Sequence, residues 1–156
     1  MRTPAFACLC LLAACSSETG FGNNDPGDIN QDGNAKADFV PPVSEGVEFA
    51  DLTAGITQSE LLQITSSGET NLVIYEIRIK DSADGTFYTD EEEDVTLAPG
   101  IAREFPMTAT LMEKGYVEGS VRVKTNDADA LTVDVPLRAW TAGFGPSDTG
   151  ADDTGL

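Results

Sequence analysis

Asp28, Asn30 and Asp32 alternate along the chain, Gly33 follows them, and Asp38 lies close behind. Alternate oxygen-bearing side chains can wrap one hard cation, with the glycine making the sharp turn between them, so this spacing points to calcium. Counting from Asp28, Lys36 falls at the ninth loop position and Phe39 at the twelfth, where a bidentate Glu would complete the loop. The site is therefore incomplete. The expectation is calcium binding no tighter than roughly millimolar, as in extracellular modules, with a plain Gly/Asn/Asp linker as the alternative. A second acidic constellation, Asp90-Glu91-Glu92-Glu93-Asp94, reads as a solvated loop projecting from one end of the fold, with a divalent cation or a basic partner as its alternative. The chain contains no His, which removes Ser-His-Asp triads, His-ligated metals and imidazole acid–base work. Its 3 Cys are too few for a thiolate metal centre. Carboxylates are plentiful but fall in loops and on outward strand faces. The chain is expected to be no enzyme and to carry no cofactor beyond weak calcium.

The remaining chemistry-bearing residue is Cys15. Arg2 supplies a positive end, Phe6 to Ala14 form a short apolar run, and Leu12-Ala13-Ala14 places small residues before Cys15. The run falls short of the roughly 20 apolar residues that span a bilayer, and it reads as a targeting segment over residues 1–14. The sequence Leu12-Ala13-Ala14-Cys15 resembles a bacterial lipobox. That resemblance implies cleavage before Cys15, acyl chains (palmitate among them) on its sulfur and amine, and a membrane anchor. Ser16 behind the cysteine resembles the sorting pattern of outer-membrane lipoproteins of Gram-negative bacteria, facing the periplasm or the cell surface. An ordinary secretory signal cut near Ala14, leaving Cys15 a plain thiol, is the alternative.

Composition bounds the partners. Of 9 basic residues Arg2 leaves with the leader, so 8 stand against 27 acidic ones and the net charge is near −19. Such a chain repels nucleic acid and anionic headgroups, and no basic patch with interleaved aromatics occurs. Nucleic acid is excluded as a partner. The membrane through lipidated Cys15, an unidentified envelope or surface protein, and further copies of the chain remain. Residues 15–42 are rich in Ser, Gly, Asn, Asp and Pro and read as a flexible acidic tether, and residues 141–156 as a disordered acidic tail.

Between them, residues 43–140 carry short segments of period two. Val117, Gly119, Val121, Val123 and Thr125 share one face against Glu118, Ser120, Arg122 and Lys124. Leu131, Val133, Val135, Leu137 and Ala139 repeat the pattern, and the turn-forming Asn126–Ala130 should join the two as an antiparallel hairpin. Val73, Tyr75, Ile77 and Ile79 alternate with Ile74, Glu76, Arg78 and Lys80, and Ile101, Phe105, Met107 and Ala109 with Ala102, Glu104, Pro106 and Thr108. Pro106 and Pro136 have no amide donor, so each should face outward from an edge or sit at a bulge. With Val47–Phe49, Ser59–Thr65, Thr86–Tyr88 and Val95–Leu97 this gives seven or eight strands, an all-β immunoglobulin-like sandwich. Only Thr108–Lys114 is ambiguous with helix, and Trp140 is expected to close the sandwich edge, with an adhesive surface as the alternative.

The order of turn residues carries a further resemblance. Val47-Glu48-Phe49-Ala50-Asp51-Leu52 with Gly55, then Leu97-Ala98-Pro99-Gly100, Gly115-Tyr116-Val117-Glu118-Gly119 and Thr125-Asn126-Asp127-Ala128-Asp129, resemble in sequence the landmarks of abnormal-spindle/hydin-type immunoglobulin-like domains, found in bacterial choice-of-anchor D surface proteins. Ala50 stands where that family has Gly, and Ser66-Ser67 replace its usual corner. The resemblance implies a non-catalytic binding or scaffolding module, with a calcium-responsive surface adhesin as the alternative function, and names no ligand. Locally, Gly100 should take a positive φ after Pro99, Gly119 should let the facing sheet approach, and Asn126-Asp127 should adopt the left-handed turn of a tight hairpin.

Overall fold

Nine strands and one 3-10 turn run through residues 34–146, the part of the chain that the computed structural model describes. They are β1 (Ala37–Val40), β2 (Val47–Leu52), β3 (Thr57–Ser66), β4 (Leu72–Ser82), β5 (Phe87–Thr89), β6 (Val95–Leu97), β7 (Ala102–Thr110), β8 (Tyr116–Thr125) and β9 (Thr132–Thr141), with the 3-10 turn at Ala83–Gly85. One sheet has the order β1-β3-β7-β5 and the other β2-β9-β8-β4-β6. The two stack as an immunoglobulin-like sandwich, because each sheet buries one face of alternating Val, Ile, Leu and Phe.

The core is the expected inner set. Val121, Val123, Val135 and Ala139 are fully buried on β8 and β9, and the hairpin pairs in register from Tyr116↔Trp140 to Lys124↔Thr132. Phe105, Met107 and Ala109 of β7 face them from the other sheet. Phe49 and Phe87 meet in the interior with ring centroids 6.0 Å apart. Each large side chain so buried contributes about 1.5–3 kcal/mol. Gly119 sits where a Cβ would fall 2.5 Å from the Asp81 carbonyl oxygen and 2.6 Å from Phe87 Cδ2, so its bare backbone is what admits the facing ring. Gly100 has φ +79° and closes a turn in which the Ile101 amide donates to the Ala98 carbonyl, as Pro99-Gly100 requires.

Several expectations change. Residues 37–40, read as tether, form β1 and pair with β3 from Ala37↔Ser66 to Val40↔Gln63. Composition hid them, because a four-residue strand with neighbouring Gly, Asn and Pro has no periodic signal of its own. On β4 the buried residues are Leu72, Ile74 and Ile77; the register shifts between Ile74 and Glu76, and this bulge moves the inward face from even to odd positions. Ile101 precedes β7 and is exposed. Trp140 packs on the outer face of β9 against Tyr116, ring centroids 6.3 Å apart, rather than closing an edge. Thr108–Lys114 is strand to Thr110 and then a turn, without helix.

Pro106 and Pro136 lie within β7 and β9, each one residue outside the pairing of a flanking strand. β5 begins pairing at Met107 and β2 at Leu137, so neither neighbour asks for the missing amide. The edges are short: β1 has 4 residues, β2 has 6, and β5 and β6 have 3 each. Short edge strands offer little template for edge-to-edge pairing.

Candidate interaction surface

Cys15, Asp28, Asn30 and Asp32 lie outside the described residues. Asp38 is in β1, opposite Thr65 of β3, with its side chain on the exposed side of the strand. Among the described residues no group of three or more His, Cys, Asp or Glu side chains is placed to hold a metal ion.

The acidic run 90–94 does not project from an end of the sandwich. It crosses from β5 in one sheet to β6 in the other along one flank, as residues 41–46 cross from β1 to β2 along the opposite flank. It is stitched down: the Tyr88 hydroxyl donates to Asp90 at 3.0 Å, Arg103 pairs with Glu92, and the Ile77 amide donates to the Glu92 carbonyl at 2.9 Å. The hydrogen bond to Asp90 raises the Tyr88 pKa above that of a free phenol.

The two ends of the sandwich differ in kind. At one end the chain arrives at residue 34, and a polar corner joins three elements. The Asn126 side chain accepts from the Val73 amide at 2.8 Å and donates to the Asn71 carbonyl at 3.1 Å. The Asp127 carboxylate accepts from the Ala37 amide and the Asp129 amide, each at 2.9 Å, and lies 3.5 Å from Lys36 Nζ. Lys36 also bonds Asp129, which together with the Asp127 charge raises its pKa despite some desolvation. Neither Asn126 nor Asp127 has a positive φ; among the described residues the non-glycine ones that do are Asp51, Asp84 and Asp94. The Asn-Asp pair is therefore fitted by its side-chain oxygens and amide, not by tolerance of the left-handed region.

At the opposite end four turns meet, residues 53–56, 83–86, 111–115 and 142–146. The Gly55 amide donates to the Leu111 carbonyl at 2.7 Å, the Thr110 amide to the Thr86 carbonyl at 2.9 Å, and the Thr141 amide to the Gly115 carbonyl at 3.0 Å. Three of these turns each lift one large apolar side chain into solvent: Ile56 is 60% exposed, Met112 78% and Phe144 44%. Beside Met112 a cleft of about 670 Å³ is lined by Asp84, Thr86, Lys114 and Tyr116. Asp84 and Glu113 outnumber Lys114 there. Isolated exposed apolar residues are ordinary, but these three stand on hydrogen-bonded turns at one end of the sandwich. In sequence they lie far apart, each beside a glycine or a charge, and only the turn-to-turn hydrogen bonds bring their turns together. Phe144 lies in the segment read as tail.

The outer face of the β2-β9-β8-β4-β6 sheet is a charge mosaic. Arg122 forks onto Asp134 at 2.8 and 3.0 Å, Lys80 reaches the same carboxylate at 3.0 Å, Glu76 takes Arg78 and Lys124, and Arg138 donates to the Glu45 carbonyl at 2.6 Å. The Arg122 hydrogen bonds hold Asp134 down to about 2 from 3.8, and the Lys124 hydrogen bond lowers Glu76. Both carboxyls are thus stabilised as anions, the opposite of what a proton donor at neutral pH requires.

No family model matches the chain, and no curated protein matches it in sequence. Its fold is similar to that of a protein of unknown function from Porphyromonas gingivalis W83, at 13% identity and a TM-score of 0.55 over 75% of this chain and 51% of that one. It is also similar to the VesB protease of Vibrio cholerae, at 14% and 0.51 over 69% of this chain and 32% of that one. A third is the complex of chaperone CsuC and tip adhesion subunit CsuE from archaic Csu pili of Acinetobacter baumannii, at 11% and 0.51 over 71% of this chain and 58% of that one. The chain spans about half the length of the first of these and about a third of the second. At such identities the likeness is one of fold. A protease and an adhesion assembly share it, so the fold by itself leaves activity open.

Proposed function

We propose that the chain is a non-catalytic binding or scaffolding module of a Gram-negative envelope, of the abnormal-spindle/hydin type and held in the outer membrane by lipid on Cys15. The reading is carried by the opposition of the two ends. The start of β1 is pinned at one end by Asp127, while Ile56, Met112 and Phe144 stand at the other. A tether that joins the domain beside the Asp127 corner turns the apolar turns away from the anchor, toward a partner. Support for the anchor is the Leu12-Ala13-Ala14-Cys15 sequence behind a short apolar run. Support for binding rather than catalysis is the lack of His together with carboxyls held as anions by cations.

Two measurements test it. Mass spectrometry of the N-terminal peptide should find fatty acid on Cys15, and Cys15→Ser should accumulate as unprocessed precursor; normal maturation of that variant refutes the anchor. A photo-crosslinking residue at position 112 should give a discrete adduct with an envelope protein in intact cells, and one at position 99, at the tethered end, should not. No adduct from 112, or equal adducts from both, removes the contact patch.

A further inference from the structure

The outer face of the β1-β3-β7-β5 sheet is unlike the rest of the surface. Residues 34–146 carry 20 acidic and 8 basic side chains, yet the outward positions of this sheet hold two acids, Asp38 and Glu104, and no base. Most of the others are Thr, Ser and Gln. Through them runs an apolar stripe that crosses all four strands. Val40 of β1 stands opposite Gln63, Leu61 is two residues along β3 and opposite Pro106 of β7, and Tyr88 of β5 stands opposite Thr108, two residues beyond Pro106. Each step is a direct or diagonal cross-strand neighbour, within about 8 Å. Val40, Leu61 and Tyr88 are 54%, 48% and 62% exposed. The opposite outer face is covered by paired charges and has no such stripe.

We infer that this face is where two copies of the chain associate, as a weak two-fold dimer with the stripes superposed. Charge selects the occupant. A second copy brings the same excess of acid, and through any acid-rich surface the two would repel; this face carries only Asp38 and Glu104, with Asp90 at its border held by the Tyr88 hydroxyl, so two copies meet here with the least repulsion. A basic partner finds almost nothing here to pair with. Geometry permits the pairing, because a two-fold axis lying in the contact plane along the stripe lays one stripe on the other, and flat sheets stack about 10 Å apart. Four strands of 4, 10, 9 and 3 residues, with a rise of about 3.3 Å per residue and a spacing of about 4.8 Å, present about 400 Å² in projection. A standard interface covers about 800 Å² per partner, so the dimer falls at the weak end of the size range.

The test is sedimentation equilibrium of the chain from residue 15 onward with Cys15→Ser, which keeps every strand and prevents acyl or disulfide joining. A monomer–dimer equilibrium is expected, and it should tighten several-fold as salt rises from about 50 to 500 mM, because screening relieves the repulsion between copies. Leu61→Asp and Tyr88→Ser should each weaken the dimer at least about tenfold while circular dichroism and Trp140 fluorescence stay those of the parent. Met112→Ser, on the loop end, should leave it unchanged. A monomer up to about 1 mM overturns the inference, as does a dimer indifferent to Leu61→Asp or one that loosens as salt rises.

Discussion

Replacing Asn126 by alanine removes the two side-chain hydrogen bonds that tie the β8–β9 hairpin to the start of β4. Asn126 is only 6% exposed. Its loss leaves the Val73 amide unpaired between the fully buried Leu72 and Ile74, where water has poor access, and that donor costs about 1–3 kcal/mol. The Asn71 carbonyl belongs to an exposed residue and can recruit water, so its share is below about 1 kcal/mol. The sum is about 1–4 kcal/mol, a large part of a stability of about 5–15 kcal/mol. With a urea slope of about 2 kcal/mol/M the midpoint should fall by about 0.5–2 M. The single Trp, Trp140, lies toward the other end of the sandwich and reports the cooperative transition. Asn126→Asp sharpens the test. Its carboxylate keeps the acceptor for Val73 but turns an oxygen, not a donor, on the Asn71 carbonyl, so the ionised form is disfavoured and the folded-state pKa rises above the unfolded value of about 3.9. The deficit is then present above the folded pKa and shrinks as pH falls through it. Asn126→Asp should lose more stability relative to the parent at pH 7 than at pH 4. A loss below about 0.5 kcal/mol for the alanine variant, or equal deficits for the aspartate at both pH values, refutes the role given to this side chain.

Three further outcomes follow from the packing and the charges. Gly119→Ala should cost about 1–3 kcal/mol by calorimetry, since its Cβ would press the Asp81 carbonyl at 2.5 Å and the Phe87 ring at 2.6 Å; an unchanged melting temperature would show that the two sheets have slack there. Phe49→Ala, which empties one side of the Phe49–Phe87 pair, should cost about 3–5 kcal/mol in urea titration, and a cost under about 1 kcal/mol would contradict its burial. Asp134 is held down to about 2 from 3.8 by Arg122 and Lys80, so its stabilisation is complete above pH ~4 and is lost between pH ~4 and ~2. The shift corresponds to about 2 kcal/mol unscreened, which a side chain 35% exposed reduces to about 1 kcal/mol or less. Asp134→Asn should therefore show a small deficit at pH 7 that vanishes near pH 2; a deficit independent of pH would mean that the ion pairs contribute nothing.

Alternation by itself determined the all-β class, the β8–β9 hairpin and most of the inner face, because a half-buried strand writes its burial at every second residue. The turn glycines were legible for the same local reason: Pro99-Gly100 demands one backbone geometry wherever it occurs. Three things required the tertiary structure. β1 exists because β3 offers it an edge and Asp127 accepts its first amide, neither of which residues 37–40 encode. The inward face of β4 changes at a bulge, and a bulge is a property of two strands in register, not of one. The candidate surfaces were hidden most completely. Ile56, Met112 and Phe144 are separated by dozens of residues, and Val40, Leu61, Pro106 and Tyr88 come from four strands, so each group becomes a patch only when strand order and register bring its members side by side. Periodicity reports which side of a strand meets the core; which exposed residues meet one another depends on contacts between distant parts of the chain.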